Sequence, residues 1–162
     1  MNILVCISNV PDTTSKIEFS DDSSKFKTEG IQFIINPYDE FGLTKAIKLR
    51  DENGGKVTVI HIGKSSSDPT LRKTLAIGAD EVIRIDLEAL DSFSVAKELA
   101  KVISEQEFDL IITGRESIDY NSGAVPGMLA AILNLPFVNA CKGFILNGDS
   151  ATIEREIEGG KE

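Results

Sequence analysis

The stretch Gly114-Arg-Glu-Ser-Ile-Asp-Tyr-Asn-Ser-Gly-Ala-Val-Pro126 holds the best candidate chemistry in this chain, the holding of a phosphate. It is a polar loop running straight into an apolar, helix-forming segment. Backbone N–H groups at a helix start lack intrahelical partners, and the helix dipole there favours an anion. Ser122 adds a hydroxyl donor, and Gly123 permits a closer backbone approach than a bulkier residue. A long loop with a capped helix accounts for the same residues. The pattern is neither a P-loop nor the dinucleotide fingerprint.

Other candidates are scattered. Asn36-Pro37-Tyr38-Asp39 reads as a turn and N-cap, or as a site where Asn36 bonds a base or ribose while Pro37 fixes the approach. Asp119 is a solvated loop acid or an acceptor for a ribose hydroxyl. His61 ends an apolar strand, with no nucleophile or carboxylate beside it, and reads as a packed, hydrogen-bonded residue. Arg115-Glu116 reads as a structural or interface pair, with Arg115 within reach of an anionic ligand. No Ser-His-Asp set, nucleophile elbow or metal-ligand cluster is present. One histidine and two cysteines do not furnish a metal site. Cys6 and Cys141 stand in apolar surroundings and are expected to be small buried residues in a reducing compartment.

The elements that must position these residues alternate in type. Apolar runs at Ile3–Ile7, Ile31–Ile35, Val57–Ile62, Glu81–Ile85 and Leu110–Thr113 read as strands. Between the first two, a polar excursion through Glu29 holds short alternations at Ile17, Phe19 and Phe26. Helical stripes follow at Phe41, Leu43, Ala46, Ile47 and Leu49, then at Leu71, Leu75 and Ala76, then at Val95, Leu99, Val102 and Ile103. Gly54-Gly55 closes the first helix, and Asp68-Pro69 reads as the N-cap and first residue of the second. A last helix runs from about Pro126 to Leu133. The tail alternates around Asn147-Gly148, which predicts an antiparallel hairpin. The whole predicts an α/β fold: a doubly wound, mostly parallel, Rossmann-like sheet flanked by helices, in one domain over 1–162. Ligands of such sheets bind beyond the carboxyl ends of the strands, near the switch in strand order.

Composition narrows the partners. With 26 acidic against 17 basic residues the formal net charge is −9, which argues against nucleic acid and anionic membrane as broad partners. The chain enters a strand directly, without the charged segment of a signal peptide, and no apolar run is long enough to span a bilayer. A cytoplasmic location, without membrane insertion, is the expectation.

Several segments together resemble the beta (small) subunit of electron transfer flavoproteins. They are Ile3-Leu-Val-Cys-Ile7 with Val10-Pro-Asp12, Ile35-Asn-Pro-Tyr-Asp-Glu-Phe-Gly-Leu43, Leu71-Arg-Lys-Thr-Leu-Ala-Ile-Gly-Ala-Asp80, Gly114-Arg-Glu-Ser-Ile-Asp119 and Glu154-Arg-Glu-Ile-Glu-Gly-Gly-Lys-Glu162. They occur in family order along nearly the whole chain. The resemblance implies an electron carrier without catalytic residues of its own. It pairs with an alpha subunit that carries FAD, and takes electrons from flavin dehydrogenases, such as acyl-CoA dehydrogenases, to a quinone reductase.

The resemblance further implies a structural AMP. By position its contacts fall on Cys6, Asn36, Pro37, Tyr38, Asp39 and Ile62. They continue through Asp119, Tyr120, Asn121, Ser122, Gly123, Ala124, Val125, Pro126, Gly127, Met128, Leu129 and Ala130. Cys6 and Ile62 act through backbone or packing, Asn36 and Asp119 through polar contacts, and Ser122 with Gly123 faces the phosphate. Two departures stand out. Ala124 replaces a glutamine of the family's phosphate loop, and the glycine–proline order is reversed at Pro126-Gly127. The chain is also shorter than family subunits, which implies truncation, and an isolated domain is expected to expose apolar surface and self-associate. The alternatives are an electron-bifurcating subunit with a second FAD and NADH oxidation, and a stress-protein-like ATP-binding module. A nucleotidyl-transferring enzyme would need an N-terminal pyrophosphate loop that Ile7-Ser-Asn-Val-Pro-Asp-Thr13 does not supply.

Overall fold

A computed structural model of the chain describes residues 1–23, 25–148 and 150–162. Its elements are β1 (Asn2–Cys6), β2 (Asn9–Pro11), β3 (Phe33–Ile35), α1 (Pro37–Asn53), β4 (Lys56–Ile62), α2 (Asp68–Ile77), β5 (Glu81–Ile85), α3 (Ser92–Ile103), β6 (Leu110–Thr113), α4 (Ala124–Leu133), β7 (Cys141–Asn147), β8 (Ser150–Ile157) and β9 (Gly160–Lys161).

Four strands form a parallel sheet in the order β5-β4-β1-β6. The apolar runs explain it, because a parallel strand buries both faces. Alternate residues of β1 and β4 separate the two cores. Ile3, Val5, Val57 and Val59 pack with Leu43, Ala46 and Leu49 of α1 and Leu71 of α2. Leu4, Cys6, Ile60 and Ile62 pack with Ala96, Leu99, Ala100 and Ile103 of α3 and Leu129 of α4. The α/β sandwich expected from the alternating elements is thus present, and its strand order turns back between β1 and β6.

Local signals account for most element ends. Asp39 and Glu40 occupy the first turn of α1, Arg50 its last, and Gly54 ends it at φ 73°, which glycine reaches without a Cβ clash. The Arg50 guanidinium then ties the helix to the next loop, bonding the Gly78 carbonyl and Asp80 at 2.8 Å each. Asp91 caps α3 through a reciprocal box with Ser94. The Asn147-Gly148 turn joins β7 and β8 as an antiparallel pair, and Glu162 bonds back to Arg155 beyond β9.

Several expectations are corrected. Asp68 is not an N-cap but the first residue of α2, and its carboxylate meets Arg84 Nε at 2.8 Å. The buried face of α2 is Thr70, Leu71 and Thr74, preceded by buried Ser67, so Leu75 and Ala76 turn to solvent. That register allows Thr74 to be buried because its hydroxyl donates to the Leu71 carbonyl at 2.7 Å. Phe41 is 74% exposed on α1, two positions before buried Leu43 and so off its stripe. Cys6 is buried, but Cys141 is exposed, since β7 belongs to a separate hairpin sheet without a helix over its outer face. α4 begins at Ala124, two residues before Pro126, so proline lies inside its first turn. The short strands β2 and β9 were not foreseen, whereas the polar excursion does hold a bridge between Phe19 and Phe26. Among the described residues, no helix is long and apolar enough to cross a membrane.

Candidate functional site at the switch in strand order

The turn in strand order opens a crevice beyond the carboxyl ends of β1 and β6. α1 starts there, and two of its first side chains organise the crevice. Asp39 Oδ2 accepts the Ser8 backbone N–H at 2.6 Å, and its carboxylate also accepts the Gly114 N–H, so one side chain joins the exits of both strands. Burial pushes the Asp39 carboxyl up to about 6, against the opposing pull of these bonds and of Asn36. Asn36 is buried. Its Nδ2 donates to the Glu116 carbonyl at 2.8 Å and its Oδ1 accepts the Ile118 N–H at 3.2 Å. Its backbone N–H meets the Ser8 carbonyl at 2.9 Å. Asn36 and Asp39 therefore hold the loop after β6 against the loop after β1.

That loop folds on itself. Ser117 and Ser122 form a bridge, the Ser117 hydroxyl bonds the Asp119 carboxylate, and Asn121 sits at φ 50°, a left-handed conformation asparagine tolerates. Partial burial raises the Asp119 carboxyl above its ordinary range. Tyr120 is 86% exposed at the loop tip. Gly123 then starts α4, which has no side-chain cap. The Ala124 and Val125 N–H groups are thereby left as donors, while Pro126 has none. Ser92, at the start of α3, brings its hydroxyl to 3.2 Å from that of Ser122. Two helix N-termini thus converge, α3 already capped by Asp91 and α4 uncapped.

The structure gathers the expected residues into two groups. Cys6, Ile62, Val125 and Leu129 share the apolar cluster on the α3 and α4 side, behind the α4 N-terminus. Burial, and then the Asp39 charge, pushes the Cys6 thiol to about 12, so it packs without reacting. Asn36, Pro37, Asp39 and the loop Asp119–Gly123 form the polar rim. Tyr38, Pro126 and Ala130 turn instead toward a second groove beside β6. Gly127 lies against Phe137, and Met128 faces outward. Ser8 and Ser92 were not among the expected contacts, and Gly114 was expected as the start of the phosphate loop rather than as a partner of Asp39.

His61 is packed as expected. Its Nδ1 meets the Ile7 carbonyl at 3.0 Å, and burial, with Arg84 nearby, lowers its pKa. Arg115 does not pair with Glu116; it meets Glu156 of β8 at 2.9 Å.

Comparison with known proteins agrees with this architecture. A profile described as "Electron transfer flavoprotein domain" matches residues 24–162. The chain is 36% identical over 163 residues to the electron transfer flavoprotein subunit beta of Bacillus subtilis (strain 168), covering 98% of this chain and 63% of that protein. It is 37% identical to the subunit beta of Thermoanaerobacterium thermosaccharolyticum, over 100% of this chain and 63% of that one. Against the mouse (Mus musculus) subunit beta it is 31% identical, over 100% and 66%. The chain thus spans a little under two thirds of the beta subunits it matches. Fold, ordered motifs and the match over residues 24–162 together establish that the chain belongs to the electron transfer flavoprotein family, on the side of its beta subunits.

Proposed function

We propose that this chain is the nucleotide-binding domain of an electron-carrying beta subunit, with AMP held structurally at the crevice between β1 and β6. The partner is an alpha subunit that carries the FAD. The assembled pair takes electrons from flavin dehydrogenases, acyl-CoA dehydrogenases among them, toward a quinone reductase.

One observation supports this reading above the others: the uncapped N-terminus of α4, with the Ser92 and Ser122 hydroxyls 3.2 Å apart at its mouth. A phosphate monoester fits those donors, since a helix start without a cap offers N–H groups and positive potential together. The apolar wall of Cys6, Ile62 and Leu129 behind it suits a purine face. In this role Asn36 and Asp39 act by holding the loop, and the nucleotide by bracing it. The flavin of the alpha subunit supplies the redox chemistry when bound.

Denaturing the purified protein and identifying released nucleotide by mass and absorbance tests the reading. AMP without flavin is the expected result. Released FAD would instead favour a bifurcating subunit, and ATP a signalling module. An empty extract, unchanged after the alpha subunit is supplied, would reject the nucleotide role.

A further inference from the structure

His61, the chain's only histidine, is buried at the carboxyl end of β4. Its Nδ1 lies 3.0 Å from the Ile7 carbonyl, which can only accept, so Nδ1 carries the proton and Nε2 is the bare nitrogen. Nε2 lies against the turn that follows β4. A Cβ built on Gly63 would stand 2.4 Å from it, and the Ser67 hydroxyl oxygen lies 3.3 Å from that same point. Ser67 ends a single 3-10 turn, Ser65–Ser67, that leads into α2. The imidazole is thus a wedge between the exit of β1 and the start of α2. A proton added to neutral His61 must go to Nε2, on a side that is already positive. Arg84 Nη1 donates to the Gly63 carbonyl at 3.0 Å, and α2 starts there with its positive end. The nearby acids are committed elsewhere. Asp68 meets Arg84 Nε at 2.8 Å, and Asp86 meets Arg84 Nη1 at 3.2 Å and Lys64 Nζ at 3.5 Å. Asp39 of α1 holds the Ser8 and Gly114 N–H groups. Arg72 and Lys73 of α2 are exposed, and β1, β2 and β3 carry no charged residue.

The two sides of the wedge differ in how readily they yield. Ile7 is held within the sheet by the Ile60 carbonyl and within the core on the α1 side. Lys64, Ser65 and Ser66 are exposed, and the Lys64–Asp86 contact that ties them down is a surface pair, a weak kind of restraint. We propose that the Gly63–Ser67 turn is a proton-operated gate at the β4 side of the crevice, wedged shut by neutral His61 and driven outward when the ring becomes imidazolium. Ile62, part of the apolar wall behind the α4 N-terminus, lies between His61 and Gly63, so the wall loosens with the gate. The gate does not depend on what the crevice holds. Its sign follows from the two states of the ring. The open turn returns the imidazole to water and its ordinary pKa of 6.5, whereas burial, with Arg84 nearby, holds it lower in the closed turn. Opening therefore takes up a proton. The closed form is fully favoured above pH 6.5 and loses up to about tenfold per pH unit as the pH falls from there toward the folded value.

Two measurements on the 162-residue chain test this. Nitrogen-15 NMR reads the single imidazole without overlap. Amide exchange, expressed as protection so that the intrinsic pH dependence cancels, reads the turn through Gly63 and Ser67, whose N–H groups bond the Ile85 and Lys64 carbonyls. The ring is expected as the Nδ1–H tautomer at neutral pH, with a midpoint below 6.5. Protection of Gly63 and Ser67 is expected to fall at least about fivefold between about pH 7.5 and 5.5, while that of Val59, within β4, does not. His61→Asn keeps an amide donor near the Ile7 carbonyl without a titrating ring, and Asp39 is present in both chains. In that variant the fall at Gly63 and Ser67 is expected to be less than about twofold. The Nε2–H tautomer, a midpoint at or above 6.5, a fall shared equally by Val59, or an equal fall in the variant each overturns the gate. The tautomer, the midpoint and the Val59 comparison decide the matter even where the variant does not fold.

Discussion

Asp39 and Gly114 approach so closely that a Cβ built on Gly114 would stand 1.9 Å from Asp39 Oδ1. The same carboxylate holds the Ser8 N–H at 2.6 Å. The contact is a three-way joint between α1, the exit of β1 and the exit of β6, and only glycine at 114 leaves room for it.

Gly114→Ala therefore forces the joint apart, with an expected loss of at least about 2 kcal/mol. Asp39→Ala strands two backbone donors, for about 2–3 kcal/mol. The two changes break one joint, so the double variant loses less than the sum. Urea unfolding of the three variants checks all of this; strict additivity would show that the residues act independently.

The Asp39 carboxyl titrates near pH 6 in the folded chain, because burial outweighs its hydrogen bonds. Its folded value lies above the ordinary 3.8, so its contribution to stability is fully present below about 3.8 and is lost as pH rises through about 6. Carbon-13 NMR of the side-chain carboxyl gives the midpoint. A midpoint at or below the ordinary value would mean that the Ser8 and Gly114 bonds dominate.

His61 behaves in the opposite sense. Burial keeps the imidazole neutral and lowers its pKa, so its contribution is present above the ordinary value of 6.5 and is lost as pH falls from there toward the folded value. Thermal unfolding between about pH 7.5 and 5.5 is expected to fall less steeply in His61→Leu than in the native chain. Equal slopes would remove His61 from the acid response. Because Asp39 is present in both proteins, its contrary effect cancels in the comparison.

Ala124→Asp places a carboxylate in the first turn of uncapped α4. The helix itself gains, by about 0.3–1 kcal/mol, from the acid at its positive end. A phosphate at that end meets repulsion, so retained AMP is expected to fall at least about tenfold. Stability and bound nucleotide thus move in opposite directions. Undiminished nucleotide in a stabilised variant would place the phosphate elsewhere.

The two thiols differ in access. Cys141 is exposed on β7, whereas Cys6 is buried with its pKa pushed up to about 12. Iodoacetamide at pH 8 is expected to label Cys141 in the folded protein, and Cys6 only after denaturation. Mass spectrometry of the peptides distinguishes them; early labelling of Cys6 would show that the β1 end opens readily.

Much of the fold was legible because its signals are local. Largely apolar runs at β1 and β4 specify strands buried on both faces, and the run at β6 a strand beside them. Gly54 and the Asn147-Gly148 pair mark ends that need positive φ or a tight turn, and the polar loop before α4 marks the crevice. These features depend on a few neighbouring residues and need no knowledge of the rest of the chain.

Distant packing decided what those signals left open. Asp39 looked like a helix-start acid, yet it became the joint between two strand exits 106 positions apart, Ser8 and Gly114, because the sheet order sets β6 beside β1. Phe41 and Cys141 have the composition of buried residues, but the one lies beside an open sheet edge and the other on a hairpin without a covering helix. Apolar periodicity states that a face wants burial. Which face finds a partner, and which polar group is consumed in holding a loop, follows from strand order and close packing alone.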